Sequence, residues 1–187
     1  LRLVGSEMCI RDSILVSLAK NDCTVTVYPC HTTAAEMLAD NPDGIFLSPG
    51  PGDPLDVPYV ISTVKELIGK KPIFGICLGI QMLSLALGAH TFKLPFGHRG
   101  SNHPVKDLRT GRVYITSQNH GYAVSDEELP ECIEVTHRSV NDGTIEGFCH
   151  KTLPIQAVQY HPEASPGPTD NFYLFKEFVK AMEDAKR

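Results

Sequence analysis

Cys77 lies in the run Gly75-Ile76-Cys77-Leu78-Gly79, a thiol with a glycine two positions away on either side. The residues before it, 72–76, are apolar or small. Those from Gln81 to Leu87 favour helix and stop at Gly88, so the cysteine falls at a turn from strand to helix. G-x-C-x-G is the thiol counterpart of the nucleophile elbow G-x-S-x-G, in which close glycines let the backbone turn sharply and lift the reactive atom clear of a sheet. A sulfur in the first turn of a helix also feels the positive end of the helix dipole, which favours thiolate. Cys77 is therefore a candidate nucleophile; a buried core cysteine is the other reading of the same residue.

A thiol nucleophile needs a base, and the base needs an orienting group. Of the eight histidines, His161 alone follows a strand-like run directly and has a carboxylate, Glu163, two positions on across a proline. Residues two apart in an extended segment point the same way, so both side chains can face one site. An ordinary strand-end turn is the alternative. The loop Gly50-Pro51-Gly52-Asp53 lacks the Lys-Ser/Thr of a phosphate-binding P-loop. It could instead hold backbone N–H groups rigidly as an oxyanion hole, or be a plain turn. His98, His103 and His120 lack zinc-motif spacing. The expectation is that no metal is bound and that these histidines are hydrogen-bonding loop residues near the site.

The elements that must position these groups alternate at first. Residues 24–28 and 45–47 read as strands, 33–38 and 57–68 as helices, the former capped by Thr32 or Thr33 and the latter stopped by Gly69. Alternating strands and helices imply right-handed crossovers and an open, mostly parallel central sheet with helices on both faces. Active groups then gather at the carboxyl ends of the strands, where residues 48–54 and Cys77 both fall. Beyond Gly88 the pattern becomes short alternating runs (91–94, 113–116, 122–124, 133–136, 144–148), read as a smaller antiparallel β section. A strand at 156–160 and an amphipathic helix at 170–186 close the chain.

At 187 residues the chain suits one well-buried core. A net charge of -5 with no basic run argues against nucleic acid. With neither an apolar span of membrane length nor a signal-peptide pattern, a cytoplasmic protein without a membrane partner is expected. The six cysteines form no C-x-x-C pair and fit neither a zinc site nor a disulfide framework.

Taken together, Ser48-Pro49-Gly50-Pro51-Gly52-Asp53-Pro54, Gly75-Ile76-Cys77-Leu78-Gly79-Ile80-Gln81 and His161-Pro162-Glu163 resemble the class I (triad) glutamine amidotransferases. Residues 96–105, 116–124 and 161–168 look like the glutaminase domain of the carbamoyl-phosphate synthase small subunit. The resemblance implies that Cys77 attacks the amide of L-glutamine to give a glutamyl thioester, that His161 carries the proton, and that Glu163 orients it. It implies an oxyanion hole at Leu78 and Gly52, and a glutamine pocket lined by Gly50, Gly52, Leu78, Gln81, Asn119, Gly121 and Tyr122. It also implies a partner large subunit that takes the ammonia, uses ATP and makes carbamoyl phosphate for arginine and pyrimidine synthesis. This chain itself would need no cofactor.

The chain departs from that pattern in three places. Ile80 stands where the family commonly has histidine. The small subunit's additional N-terminal domain, which contributes a serine to the glutamine site, is not in this sequence. Residues 1–13 lack the family's opening pattern, so they are expected to be foreign to the native protein, such as a sequence-assembly junction, with the first central strand missing or badly replaced. Residues 14–187 would be the amidotransferase domain. The rival readings are the glutaminase component of an anthranilate- or guanylate-forming synthase, or a non-catalytic module that stabilises a synthase subunit.

Overall fold

The computed structural model of the chain describes residues 2–4, 12–163 and 170–187. Strand β1 is Arg2–Val4, helix α1 Asp12–Ala19, β2 Thr26–Tyr28, α2 Ala34–Ala39 and β3 Ile45–Leu47. Then come a 3₁₀ turn at Pro54–Asp56, α3 at Pro58–Leu67, β4 at Ile73–Ile76 and α4 at Leu78–Ala86. Strands β5 Thr91–Asp107, β6 Val113–Val124, β7 Ile133–Ser139, β8 Ile145–His150 and β9 Ile155–Val158 follow, and α5 is Tyr173–Asp184.

These strands make one sheet in the order β2-β1-β3-β4-β9-β8-β6-β5-β7. From β2 to β9 the neighbours are parallel; from β9 onward they are antiparallel. The antiparallel section is thus a continuation of the parallel sheet, joined to it through the β9–β8 pair.

Helices cover both faces because the parallel strands alternate inward residues to either side. Ile45, Leu47 and Ile73 pack with α2, α3 and α4 through Met37, Leu67 and Ile80. Phe46, Phe74 and Ile76 point the other way, against α1 and α5 through Leu18, Phe175 and Phe178. On that second face Phe46 meets Phe74 edge-on at 5.3 Å, and Phe178 lies 5.6 Å from Phe74. The apolar stripe expected of the C-terminal helix is what buries Phe175, Phe178 and Met182. Thr33 closes α2 with a reciprocal capping box to Glu36.

Three sequence expectations change. Arg2–Val4 pairs with both β2 and β3, so a strand occupies the slot where one was expected to be missing or badly replaced; of residues 1–13, read as foreign, residue 1 and residues 5–11 lie outside the described ones. Helix α4 starts at Leu78 rather than Gln81, which makes Cys77 its N-cap. The residues read as loops around His98 and His120 belong to two long paired strands, with His98 opposite His120. Register shifts near Gly97 and Gly100, both at positive φ, break the two-residue alternation from which strands are read.

Candidate active site

Strands β4 and β9 are parallel neighbours, so their carboxyl ends open on the same edge of the sheet. Cys77 follows β4 directly and His161 comes three residues after β9, which brings together two groups far apart in sequence. The Cys77 N–H donates to Val158 O at 2.9 Å, locking the elbow to β9. The His161 N–H donates to Ser117 O at 2.9 Å, locking the strand exit to β6.

Cys77 has φ 57° and ψ -106°, a left-handed conformation that costs a non-glycine residue of order 1–3 kcal/mol and persists only where the surroundings enforce it. The flanking glycines supply that enforcement. A Cβ on Gly79 would stand 2.5 Å from Leu47 O, and one on Gly75 would stand 2.8 Å from the Gly79 carbonyl carbon. Only without side chains there can α4 press onto β3 and β4 closely enough to force the turn.

His161 Nδ1 lies 2.8 Å from Glu163 Oε1, and Cys77, His161 and Glu163 are all buried. With Nδ1 engaged, Nε2 has no hydrogen bond within ordinary geometry among the described residues and is the nitrogen left to face Cys77. Burial pulls the imidazole pKa down, but Cys77, as the thiolate, and the Glu163 carboxylate outweigh it and hold the ring at about 9. His161 is thus set to be protonated beside a sulfur at neutral pH.

The loop after β3 packs against the start of α4: a Cβ on Gly50 would meet Leu78 Cδ2 at 2.4 Å. Gly52 takes φ +90°, and the Asp53 carboxylate accepts from Leu55 N–H at 2.9 Å, pinning the turn. Leu78, as the first residue of α4, has a backbone N–H with no intrahelical acceptor. From across the opening, Asp53 raises the pKa of the Tyr122 phenol. Asn119 is exposed on β6 and Gly121 half-buried beside it.

Gln81 is brought to the site but its amide is turned inward. Its Nε2 donates to Tyr122 O at 2.9 Å and to Gln159 Oε1 at 3.0 Å, tying α4 to β6 and to the β9 exit. Sequence reasoning missed Gln159 and Ser117, which carry no spacing signal because their partners lie on distant strands. It also missed Gln118 and Glu146, which converge with His98 and His120 behind the pocket.

The sequence matches the family described as Glutamine amidotransferase class-I over residues 3–181. The chain belongs to the class I glutamine amidotransferases. It is 56% identical to the carbamoyl phosphate synthase small chain of Akkermansia muciniphila over 185 residues, covering 99% of this chain and 50% of that one. Against the carbamoyl phosphate synthase small chain of Lactococcus lactis subsp. lactis it is 52% identical, covering 100% of this chain and 52% of that one. The chain therefore spans about half the length of these curated relatives.

Solved structures share this amidotransferase fold. A GMP synthase component from Thermoplasma acidophilum superposes with TM-score 0.86 at 23% identity, over 99% of this chain and 94% of that one. A Thermotoga maritima glutamine amidotransferase gives TM-score 0.72 at 18% identity, over 98% and 81%. At those identities the likeness concerns fold alone. No helix among the described residues is long and apolar enough to cross a membrane.

Proposed function

We propose that this domain hydrolyses L-glutamine to glutamate and ammonia through a Cys77-His161-Glu163 triad. The observation that carries the reading is the coincidence of a strained thiol-bearing elbow with a buried His161–Glu163 pair at the ends of adjacent parallel strands.

Cys77 Sγ attacks the side-chain carbonyl carbon of glutamine. A C–S bond forms, the carbonyl electrons move onto oxygen, and the thiol proton rests on His161 Nε2. The backbone N–H groups of Leu78 and Gly52 receive the developing oxyanion, the arrangement that lowers such barriers most. Collapse breaks the C–N bond as His161 returns its proton to the leaving nitrogen, releasing ammonia and leaving a thioester. Water then attacks with His161 as base, the C–S bond breaks, and glutamate leaves as the thiol regains its proton. Side chains and backbone suffice for every step, so the domain works without a cofactor.

Gly50, Gly52, Leu78, Asn119, Gly121 and Tyr122 form the walls for the glutamine backbone and side chain, with Gln81 holding Tyr122 in place. The identity to carbamoyl phosphate synthase small chains, spread over nearly the whole chain, supports delivery of the ammonia to an ATP-using large subunit in the cytoplasm.

The test is ammonia release from glutamine by the parent and by Cys77→Ala. Activity in the parent and its loss in the variant is expected; equal activity in both overturns the triad. Affinity capture from a native extract tests the partner: a carbamoyl-phosphate-forming large subunit is expected, and a chorismate-using one would contradict the proposal.

A further inference from the structure

His98, Gln118, His120 and Glu146 come from β5, β6 and β8, and all four side chains are buried. His98 Nδ1 lies 3.2 Å from Glu146 Oε1 and 3.2 Å from Gln118 Oε1, and His120 Nε2 lies 2.7 Å from that same Gln118 oxygen. The remaining ring nitrogens are held from outside the cluster. His98 Nε2 stands 2.8 Å from Asp142 Oδ2, and His120 Nδ1 stands 2.8 Å from Tyr122 O.

Every one of these four ring nitrogens faces an oxygen acceptor. Gln118 Nε2 donates to Thr116 Oγ1, which itself donates to His103 O, so the amide orientation follows from the surrounding network and its oxygen is the atom facing the rings. With Glu146 ionised, giving every one of these contacts a proton would require both imidazoles to be cations, with ring centroids 4.9 Å apart; a neutral His120 leaves a ring lone pair facing an oxygen. Glu146, fully buried, also keeps Oε2 without a hydrogen-bond partner among the described residues. The cluster therefore offers converging lone pairs and too few donors.

We propose that His98 Nδ1, His120 Nε2, a Glu146 carboxylate oxygen and Gln118 Oε1 bind one divalent transition-metal ion of the zinc type. The ligand atoms of His98, His120 and Glu146 all lie within 4.8 Å of one another. The two 3.2 Å separations are close to the edge of about 3.3 Å expected for a tetrahedron with metal–ligand bonds of about 2.0–2.1 Å, and the 2.7 Å between His120 Nε2 and Gln118 Oε1 would open by about 0.6 Å around the same ion. Two imidazoles and a carboxylate favour zinc over calcium or magnesium, which take oxygen ligands. Asp142 and Tyr122 O then play the outer partners that fix the tautomer of metal-bound histidines. The two carboxylates, Glu146 and Asp142, balance the charge of a divalent ion. Four protein ligands make a closed, structural site that ties together three strands directly behind Asn119 and Gly121. Irregular sequence spacing argues against a metal only because the ligands come from separate strands rather than from one motif.

This site does not depend on the glutaminase reading, and its test reads no activity. The chain carrying Cys77→Ala, so that no active-site thiol can capture metal, is stripped with chelator, then loaded with zinc for elemental analysis and with cobalt(II) for visible spectroscopy. One equivalent of metal per chain is expected, with the intense bands of four-coordinate cobalt and no thiolate charge-transfer band. Adding Glu146→Gln or His98→Asn should weaken zinc binding by about a hundredfold or more, and an exposed control, His90→Asn, should not. Four results would each overturn the site: well under one equivalent bound, spectra of six-coordinate aqueous-like cobalt, a thiolate band, or binding unchanged by Glu146→Gln and His98→Asn. If either of those variants fails to fold by circular dichroism, the stoichiometry and cobalt spectrum of the Cys77→Ala chain decide.

Discussion

His161 and Glu163 stand 2.8 Å apart, Nδ1 to Oε1, with both side chains closed off from solvent. The carboxylate keeps a proton on Nδ1 and leaves Nε2 to the sulfur and the leaving nitrogen. Glu163→Gln preserves the volume and removes the charge, so the wrong tautomer becomes accessible and the imidazolium loses its counter-ion. The turnover rate for ammonia release should fall by about two to four orders of magnitude with little change in KM for glutamine. A loss smaller than tenfold in kcat would mean that Glu163 does not orient the base.

The same pair makes folding pH-dependent. The His161 pKa stands at about 9 in the fold against an ordinary value of 6.5, so the folded state holds a proton that the unfolded chain has released. Its stabilising contribution is complete below pH 6.5 and disappears as pH rises through about 9. Denaturant midpoints measured from pH 6 to 10 should decline over that window. In Glu163→Gln, which removes one of the two groups that hold the proton, the decline should be shallower; parallel curves for the two proteins would contradict the assignment.

The strained elbow predicts an inverted glycine effect. At most buried positions glycine is less stable than alanine, because the flexible backbone loses more entropy on folding. At Cys77, with φ 57° and ψ -106°, an alanine keeps the Cβ conflict and a glycine removes it. Thermal or denaturant unfolding should therefore find Cys77→Gly more stable than Cys77→Ala by about 1 kcal/mol or more, with both inactive. The reverse order would show that the turn is not strained.

Much of the site is legible in the sequence because its key groups are local motifs. The elbow glycines, the His161-Pro162-Glu163 step and the Gly50–Gly52 turn each carry their own backbone demand within a few residues. The parallel strands are legible through buried runs such as Ile45–Leu47 and Ile73–Ile76. What spacing hides is long-range or irregular. Strands β5 and β6 are bulged, so His98 and His120 read as loop residues although they face each other in register. Arg2–Val4 is too short to carry a periodic signal, and its place between β2 and β3 is a matter of partners. Glu146 looks like any strand carboxylate until β8 turns it into the interior.

Gln81 divides a pocket contact from a positioning role. Its amide donates to Tyr122 O and to the buried Gln159 Oε1, so removing it leaves Gln159 Oε1 short of a donor and Tyr122 O with His120 Nδ1 alone. Gln81→Leu, similar in size, should cost about 1–3 kcal/mol in stability. It should also raise KM for glutamine several-fold, because Tyr122 is no longer anchored to α4. Gln81→Glu, which can offer a donor only when protonated, should behave similarly at neutral pH and recover in part at mildly acidic pH. A side chain that merely touched glutamine would raise KM and leave the unfolding midpoint in place, so measuring both quantities on each variant separates the two roles.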